Sequence, residues 1–280
     1  MRIKMLKVHV IGMGTMGKLH AQAYRDLQCE LTDFEKADIV SIASPDETHY
    51  DYAKKALENG KHVFVEKPMC QTKEQLHRLY ELTKESRLFF GSNMVLRTSP
   101  LFNELRMVLK ANKMGKLYTF EGDYLYGRKE KILTGWRSET PNYSVMQGGG
   151  IHLIDLFLWL TDENPKEVYK FSNKIVTKDA YFKYDDYALR IVLCESGLIA
   201  KFTANFGCVH PHQHCLRIFG TKGSFLLDDK GYRTYGFNMP NGLSHLPPTK
   251  TGLIEDFISA IAKVKTYDSS SFFKSMELAL

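Results

Sequence analysis

Over the first third of the chain, apolar residues gather into short runs separated by longer stretches of helical spacing. The runs at 8–11, 39–43, 62–65 and 88–91 are too short for helices and rich in Val, Ile and Phe, so they read as strands. An amphipathic helix follows the first run to about Leu27. A second begins in the polar segment Pro45-Asp46-Glu47-Thr48-His49 and ends near Glu58, with Asn59-Gly60 as its stop signal. A third opens at Thr72, which forms a capping box with Gln75, and continues to about Ser86. Strand and helix alternating in this way specify a parallel, doubly wound sheet.

The pattern changes near residues 96–100. Ser99-Pro100 opens a helix to about Asn112, apolar at Leu101, Phe102, Leu105, Val108 and Leu109. Strand-like runs follow at 117–126, 168–176, 188–194, 198–204, 216–219 and 225–227. Glu195-Ser196-Gly197 and Thr221-Lys222-Gly223 are hairpin-type turns, so this second sheet is expected to be largely antiparallel. An amphipathic helix at 251–263, with Leu253, Phe257 and Ile261 on one face, precedes a last helical pattern at 272–280. The predicted architecture is α/β, with a shortened Rossmann-type parallel sheet domain at 1–97. An α+β domain with a largely antiparallel open sheet follows at 98–280, for substrate binding and oligomerisation.

Composition narrows the function. A chain of 280 residues suits two domains, and 44% apolar with 25% charged residues is ordinary for a soluble protein. Lys and Arg number 38 against 32 Asp and Glu, with no long basic block, which argues against nucleic acid and is compatible with an anionic small substrate. Cys29, Cys70, Cys194, Cys208 and Cys215 contain no C-x-x-C pair, so neither a disulfide framework nor a structural zinc site is expected, and a reducing, cytoplasmic compartment is the simplest reading. No stretch approaches the ~18 apolar residues of a membrane span. The basic-then-apolar start is broken by His9 and followed by glycines, so it reads as a strand rather than a signal peptide.

The chemistry-bearing residues begin at Gly12-Met13-Gly14-Thr15-Met16-Gly17, a G-x-G-x-x-G with a strand before it and a helix after it. The glycines permit a tight turn, close approach of a pyrophosphate and close helix packing, and the helix N-terminus favours negative charge. Glu66-Lys67-Pro68 follows the strand at 62–65, at the carboxyl end where open α/β sheets bind ligands. A Lys there is either solvated in a turn or a positioned ammonium whose pKa the surroundings tune.

The glycine pattern, Ser44-Pro45 with His49, and Glu66-Lys67-Pro68 together resemble the Gfo/Idh/MocA family of NAD(P)-dependent sugar oxidoreductases, over most of the chain. The resemblance implies NAD or NADP as cofactor, held by Gly12, Gly14, Thr15, Met16, Gly17, Ser44, Pro45, His49, Glu66, Lys67 and Pro68. It implies that Lys67 contacts both the nicotinamide ribose and the reacting hydroxyl, and that Lys67-Pro68 is cis. In Gln147-Gly148-Gly149-Gly150-Ile151-His152-Leu153-Ile154-Asp155, His152 and Asp155 share a face of an apolar helix and need polar partners. By itself that fits a hydrogen-bonded core histidine. It is also similar to the family's Gly-x-His-x-x-Asp, in which the His is the general acid/base. Many members carry Asp four residues before this His, where this chain has Gly148. Asn93, Arg97, Trp136 and Arg137 resemble residues beside the substrate. His210, His212 and His214 alternate, a spacing that on a strand would share one face. A polar strand near the substrate is the reading preferred over a metal site, because the family's hydride chemistry uses none.

The function expected is hydride transfer between NAD(P) and a hydroxyl-bearing carbon of a sugar, cyclitol or nucleotide-sugar, with Lys67, His152 and Asp155 catalytic. A non-catalytic cofactor-binding regulator and an NAD-using glycosidase of the same fold are the alternatives; net cofactor reduction, silent binding and aglycone release separate the three. A homo-oligomer, dimer or tetramer, is expected if the free face of the second sheet is apolar.

One expectation concerns an absence. A dinucleotide fold places an acidic residue about 20 positions beyond its glycines, where Asp33 falls. Only residues 34–37 separate Asp33 from the next strand, whereas parallel strands ordinarily need a crossover of a dozen or more. Residues 30–32 are therefore not expected to form a normal second strand. The first strand is expected at the sheet edge, and NAD(P) binding is expected to be weak and poorly selective against the 2′-phosphate. Compared with the family, the second-strand region and the end of the chain look shortened.

Overall fold

The computed structural model describes residues 5–134, 136–264 and 266–280, with the backbone alone of Trp136. In the first unit, β1 (Lys7–Ile11) leads to α1 (Thr15–Asp26), β2 (Glu30–Leu31), β3 (Ile39–Ile42), α2 (His49–Glu58), β4 (His62–Val65), α3 (Lys73–Ser86) and β5 (Phe90–Ser92). The strands form one parallel sheet in the order β2-β1-β3-β4-β5, the expected Rossmann type. All four residues of β3 are buried, as continuous apolar strands covered on both faces must be. At the start of α3, the Gln75 amide donates to Thr72 Oγ1 at 3.3 Å and the Gln75 side chain accepts from the Gln71 amide at 2.8 Å.

The structure overturns the expectation that β1 is the sheet edge. β2 lies outside it, pairing Glu30 with Lys7 and Leu31 with Val8. The crossover rule assumes that the chain must travel back along a full strand. Here Leu31 and Ile39 both sit opposite Val8, on its two sides, so only the width of two strand spacings, about 10 Å, has to be bridged. The intervening residues 32–38 reach about 23 Å when extended.

This bypass is fastened from below. Lys61, 7% exposed, donates to the carbonyls of Glu35 at 3.2 Å and Ala37 at 2.8 Å, which satisfies an ammonium that burial would otherwise penalise. The Lys7 amide donates to Asp38 Oδ2 at 2.9 Å.

In the second unit, α4 (Pro100–Lys110) is capped by Ser99 and followed by β6 (Leu117–Leu125), the short turns α5 (Glu130–Leu133) and α6 (Trp136–Glu139), and α7 (Ile151–Thr161). Then come β7 (Pro165–Asn173), β8 (Tyr187–Cys194), β9 (Ile199–Asn205), β10 (Gln213–Gly220), β11 (Ser224–Asp228) and β12 (Gly231–Tyr235). The sheet order is β12-β11-β10-β6-β9-β8-β7; only the β6–β9 pair is parallel. β12 escaped the sequence reading because its Gly-Tyr-Arg-Thr-Tyr carries no apolar alternation.

One face of this sheet packs under α7, where Phe157 lies 5.0 Å from Phe120 and 5.4 Å from Phe202 between ring centroids. At its centre the opposite face is charged. Arg217 pairs with Glu121 at 2.7 Å, and Lys201 lies 3.5 Å from Asp123. Exposed Tyr118, Tyr169, Phe171 and Ile199 occur elsewhere in the sheet.

The chain does not end in this unit as the expected boundary of 98–280 had it. Residues 247–278, including α8 (Gly252–Ile261) and most of α9 (Ser270–Ala279), group with the first unit. Phe257 packs on Phe64 at 5.4 Å and Phe273 on Phe90 at 4.9 Å, covering apolar rings of β4 and β5. An amphipathic pattern says that a helix has a partner face, not which sheet supplies it.

Candidate active site

In the first unit the glycine turn divides its labour. Gly12 has φ +85°, and a Cβ there would lie 2.6 Å from the Ala43 and Ser44 backbone, while one at Gly17 would strike the Gly12 carbonyl. Those two glycines serve packing. Gly14 faces open space and precedes an α1 terminus with no side-chain cap, whose first turn, including Thr15 and Met16, carries no acidic residue. Uncapped amide donors at a helix N-terminus beside open space fit a cofactor pyrophosphate.

The β3–α2 loop is tied to the end of β4. His49, 1% exposed, sets Nδ1 2.7 Å from the Pro68 carbonyl and Nε2 2.9 Å from the Ser44 carbonyl. Ser44 Oγ and Thr48 Oγ1 are 2.6 Å apart, and Thr48 donates to the Pro45 carbonyl at 2.8 Å. The Lys67-Pro68 peptide is cis, as the resemblance implied.

Behind Lys67 runs a polar chain that the sequence reading missed. Ser41 Oγ is 2.9 Å from His20 Nδ1, His20 Nε2 is 3.1 Å from Glu66 Oε1, and Asn93 Nδ2 donates to the same oxygen at 2.7 Å. Asn93 Nδ2 also donates to the Lys250 carbonyl at 2.8 Å, and Asn93 Oδ1 is buried with no hydrogen-bond partner. Burial pushes the Glu66 carboxyl up. The His20 and Asn93 hydrogen bonds, with the charges of His20 and Lys67, outweigh it and hold the carboxyl below its ordinary range. A signal was present in Ser41, a lone hydroxyl within Ile39-Val40-Ser41-Ile42, and in His20 on the face of α1 that also buries Gly17, Ala21 and Tyr24.

Arg97 donates to Ser271 Oγ at 3.0 Å and stacks on Phe272 at 4.3 Å, fastening α9 to the segment after β5.

In the second unit, residues Met146–Gly150 form a π-helical turn that leads into α7. A Cβ at Gly148 would lie 2.5 Å from the Tyr143 hydroxyl, so this position is closed to a larger side chain by a phenol. Gly149 gives room to Tyr124 and Gly150 to Met146. His152 is half-buried and stacks 6.5 Å from Tyr124, while Asp155 is fully buried one turn further on. The Trp136 side chain lies outside the described residues; Arg137, in α6, adds positive charge that acts on Tyr124.

The three histidines do not alternate along one strand. β10 begins at Gln213, after Pro211, and His210 turns its Nδ1 to the Pro211 carbonyl. His212 and His214 do meet, 5.4 Å apart, each 5.2 Å from Tyr124, with His245 6.5 Å from His214. Burial, with His212 and His245 beside it, pushes His214 down to about 3, so this ring is neutral. Burial lowers His212 and His245 as well. Among the described residues no group of three or more His, Cys, Asp or Glu could hold a metal ion.

Two family models match. Residues 18–93 match the oxidoreductase family, NAD-binding Rossmann fold, of Gfo/Idh/MocA, and residues 102–226 match the Gfo/Idh/MocA C-terminal domain. This chain belongs to the Gfo/Idh/MocA family. Its first unit is therefore a NAD-binding Rossmann domain.

Among its relatives, an uncharacterized oxidoreductase of Synechocystis sp. is 27% identical over 231 residues, covering 77% of this chain and 61% of that protein. The 1,5-anhydro-D-fructose reductase of Ensifer adhaerens is 25% identical over 245 residues, covering 82% of this chain and 70% of that one. The chain thus spans about three fifths to seven tenths of the length of these Gfo/Idh/MocA relatives. A levoglucosan dehydrogenase solved with NADH shares the fold at a TM-score of 0.79 and 19% identity, covering 99% of this chain and 95% of that one. No described helix is long and apolar enough to cross a membrane.

Proposed function

We propose that the protein is a sugar or cyclitol dehydrogenase or reductase that works on a CH–OH carbon with NAD or NADP. The observation that carries this reading is the buried chain Ser41–His20–Glu66–Asn93, which holds an ionised carboxylate beside Lys67 at the carboxyl end of β4 in a NAD-binding sheet. A carboxylate so partnered is matched by cationic neighbours, and the charges of His20 and Lys67 both act on it. The sugar class is supported by what the reductase and dehydrogenase relatives are named for.

When bound, the nicotinamide supplies a hydride acceptor or donor. Lys67 lowers the pKa of the substrate hydroxyl and stabilises the developing alkoxide, as a preorganised cation does where water is excluded. His152 takes the hydroxyl proton, and Asp155, buried on the same helix, orients it or binds a neighbouring hydroxyl. Gly12, Gly14, Thr15, Met16 and Gly17 hold the pyrophosphate, and Ser44, Pro45, His49, Glu66 and Pro68 shape the cofactor's other end. Asn93 directs its open Oδ1 to the substrate. Arg137 lines the substrate side. Arg97 acts by keeping α9 in place.

The test is a panel of free sugars, inositols and nucleotide-sugars, read as NAD(P)H formation, with wild type, Lys67→Ala and His152→Ala. Turnover by wild type and its loss in both variants, with ADP-ribose binding retained, is the expected result. Unchanged turnover in both variants removes the assignment.

A further inference from the structure

The seven-residue bypass opens a site. β2 pairs with Lys7 and Val8 only, so beyond Val8 the outer edge of β1 carries no strand. A cavity of about 340 Å³ lies along that edge, lined by His9, Val10, Ile11, Gly12, Phe34, Tyr52 and Lys55. It runs from the middle of β1 to Gly12, the first glycine of the cofactor turn.

Its walls have a consistent chemistry. Two aromatic rings, Phe34 and Tyr52, line it and give a purine aromatic surface to pack against. The Phe34 ring carries two ammonium groups, Lys55 at 4.9 Å and Lys61 at 5.1 Å, and meets His9 edge-on at 6.0 Å. Lys61 spends donors on the Glu35 and Ala37 carbonyls, so it contributes charge to the cavity. Lys55 has no carboxylate within ion-pair distance among the described residues, and no acidic side chain lines the cavity. Asp33, at the count of the usual ribose carboxylate, is exposed and lies outside the lining.

Two cations gathered on one ring make its surroundings positive, which favours an anion beside Lys55. In an ordinary dinucleotide fold a carboxylate at the end of the second strand accepts the ribose hydroxyls and rejects a 2′-phosphate. Here the corresponding surroundings are cationic and aromatic. We propose that this cavity receives the adenosine end of the cofactor, with the 2′-phosphate on Lys55, and that the protein selects NADP(H). The proposal rests on the NAD-binding character of the first unit and not on the sugar chemistry. It reverses the poor selectivity expected from the sequence, because the segment that lacks the carboxylate also brings Phe34 to Lys55 and Lys61.

Calorimetry with ADP-ribose and its 2′-phosphorylated form tests this without substrate or turnover, since neither ligand contains nicotinamide. Wild type is expected to bind the 2′-phosphorylated ligand at least about tenfold more tightly at low salt, the preference shrinking as salt screens the charges. Lys55→Glu abolishes or inverts the preference, and Tyr52→Ala weakens both ligands alike. Lys55 is exposed, and equal thermal unfolding of Lys55→Glu and wild type checks that the variant is folded. Equal binding of the two ligands by wild type, or a preference unaltered by Lys55→Glu, overturns the proposal alone. Failure of wild type to bind either ligand overturns it together with the cofactor reading.

Discussion

Glu66 in the first unit and His214 in the second both lie among polar or aromatic neighbours, and the two groups end in opposite charge states. Glu66 lies next to His20, Asn93 and Lys67, and its carboxyl stays ionised below the ordinary range. His214 lies among Tyr124, His212 and His245, and its imidazole stays neutral down to about pH 3. Burial opposes charge in both. What differs is the neighbours: hydrogen bonds and positive charge aimed at a carboxylate in one case, aromatic rings and other imidazoles in the other. The charged group adjoins Lys67, whose charge helps keep it ionised. The neutral one meets Tyr124 edge-on, the ring that also stacks on His152.

The largest effect is expected from removing the reactive neighbour of each cluster. Lys67→Ala and His152→Ala should each lower kcat by roughly 10²–10⁴-fold, the range for a positioned proton-transfer or charge-stabilising group. Steady-state kinetics with whichever sugar is turned over reads this directly. Next is His20→Leu, which leaves Glu66 without its imidazole partner. Breaking a buried pair costs about 3–5 kcal/mol, and because the Glu66 side chain is 14% exposed we expect the lower end, measured by urea unfolding at pH 7. His20→Asn, which can still donate to the carboxylate, should recover part of the loss.

The pH dependence sharpens the contrast further. His214 has its folded value pushed from 6.5 to about 3, so below pH 6.5 the unfolded chain binds a proton that the folded chain refuses. Stability should fall as pH drops from 6.5 toward 3, by at most about 1.4 kcal/mol per pH unit, and His214→Phe should flatten that slope. Glu66 acts in a lower window. Its stabilisation is complete above the ordinary 4.5 and is lost as pH falls through the depressed folded value, so Glu66→Gln should lower stability above pH 4.5, and the difference from wild type should shrink at the acid end of the titration. If His214→Phe left the slope between pH 6.5 and 4.5 untouched, the neutral-cluster reading would be wrong. The smallest effect is expected at Gly14→Ala. Its Cβ meets open space in the protein, so stability should change by less than about 1 kcal/mol while ADP-ribose binding weakens.

Much of the first unit was legible because its signals are local. A strand running into Gly12-Met13-Gly14-Thr15-Met16-Gly17, the Thr72–Gln75 cap and the stop at Gly60 each act over a few residues. The misplaced edge had a physical cause as well. The crossover rule concerns strands of ordinary length, and β2 has two residues, so the return path that the rule counts does not exist.

The sequence by itself determined the two sheets, the cofactor turn, the place of Lys67 at the end of β4 and the presence of His152 and Asp155 on one helix. These depend on periodicities and turn preferences that neighbouring residues carry. Only the tertiary structure decided that His20 reaches Ser41 across 21 positions and Glu66 across 46, that α8 covers Phe64, and that Phe34 comes to lie against Lys55 and Lys61. Those contacts follow from which buried faces meet. A local pattern specifies that a face exists, and the packing of the whole unit chooses its partner.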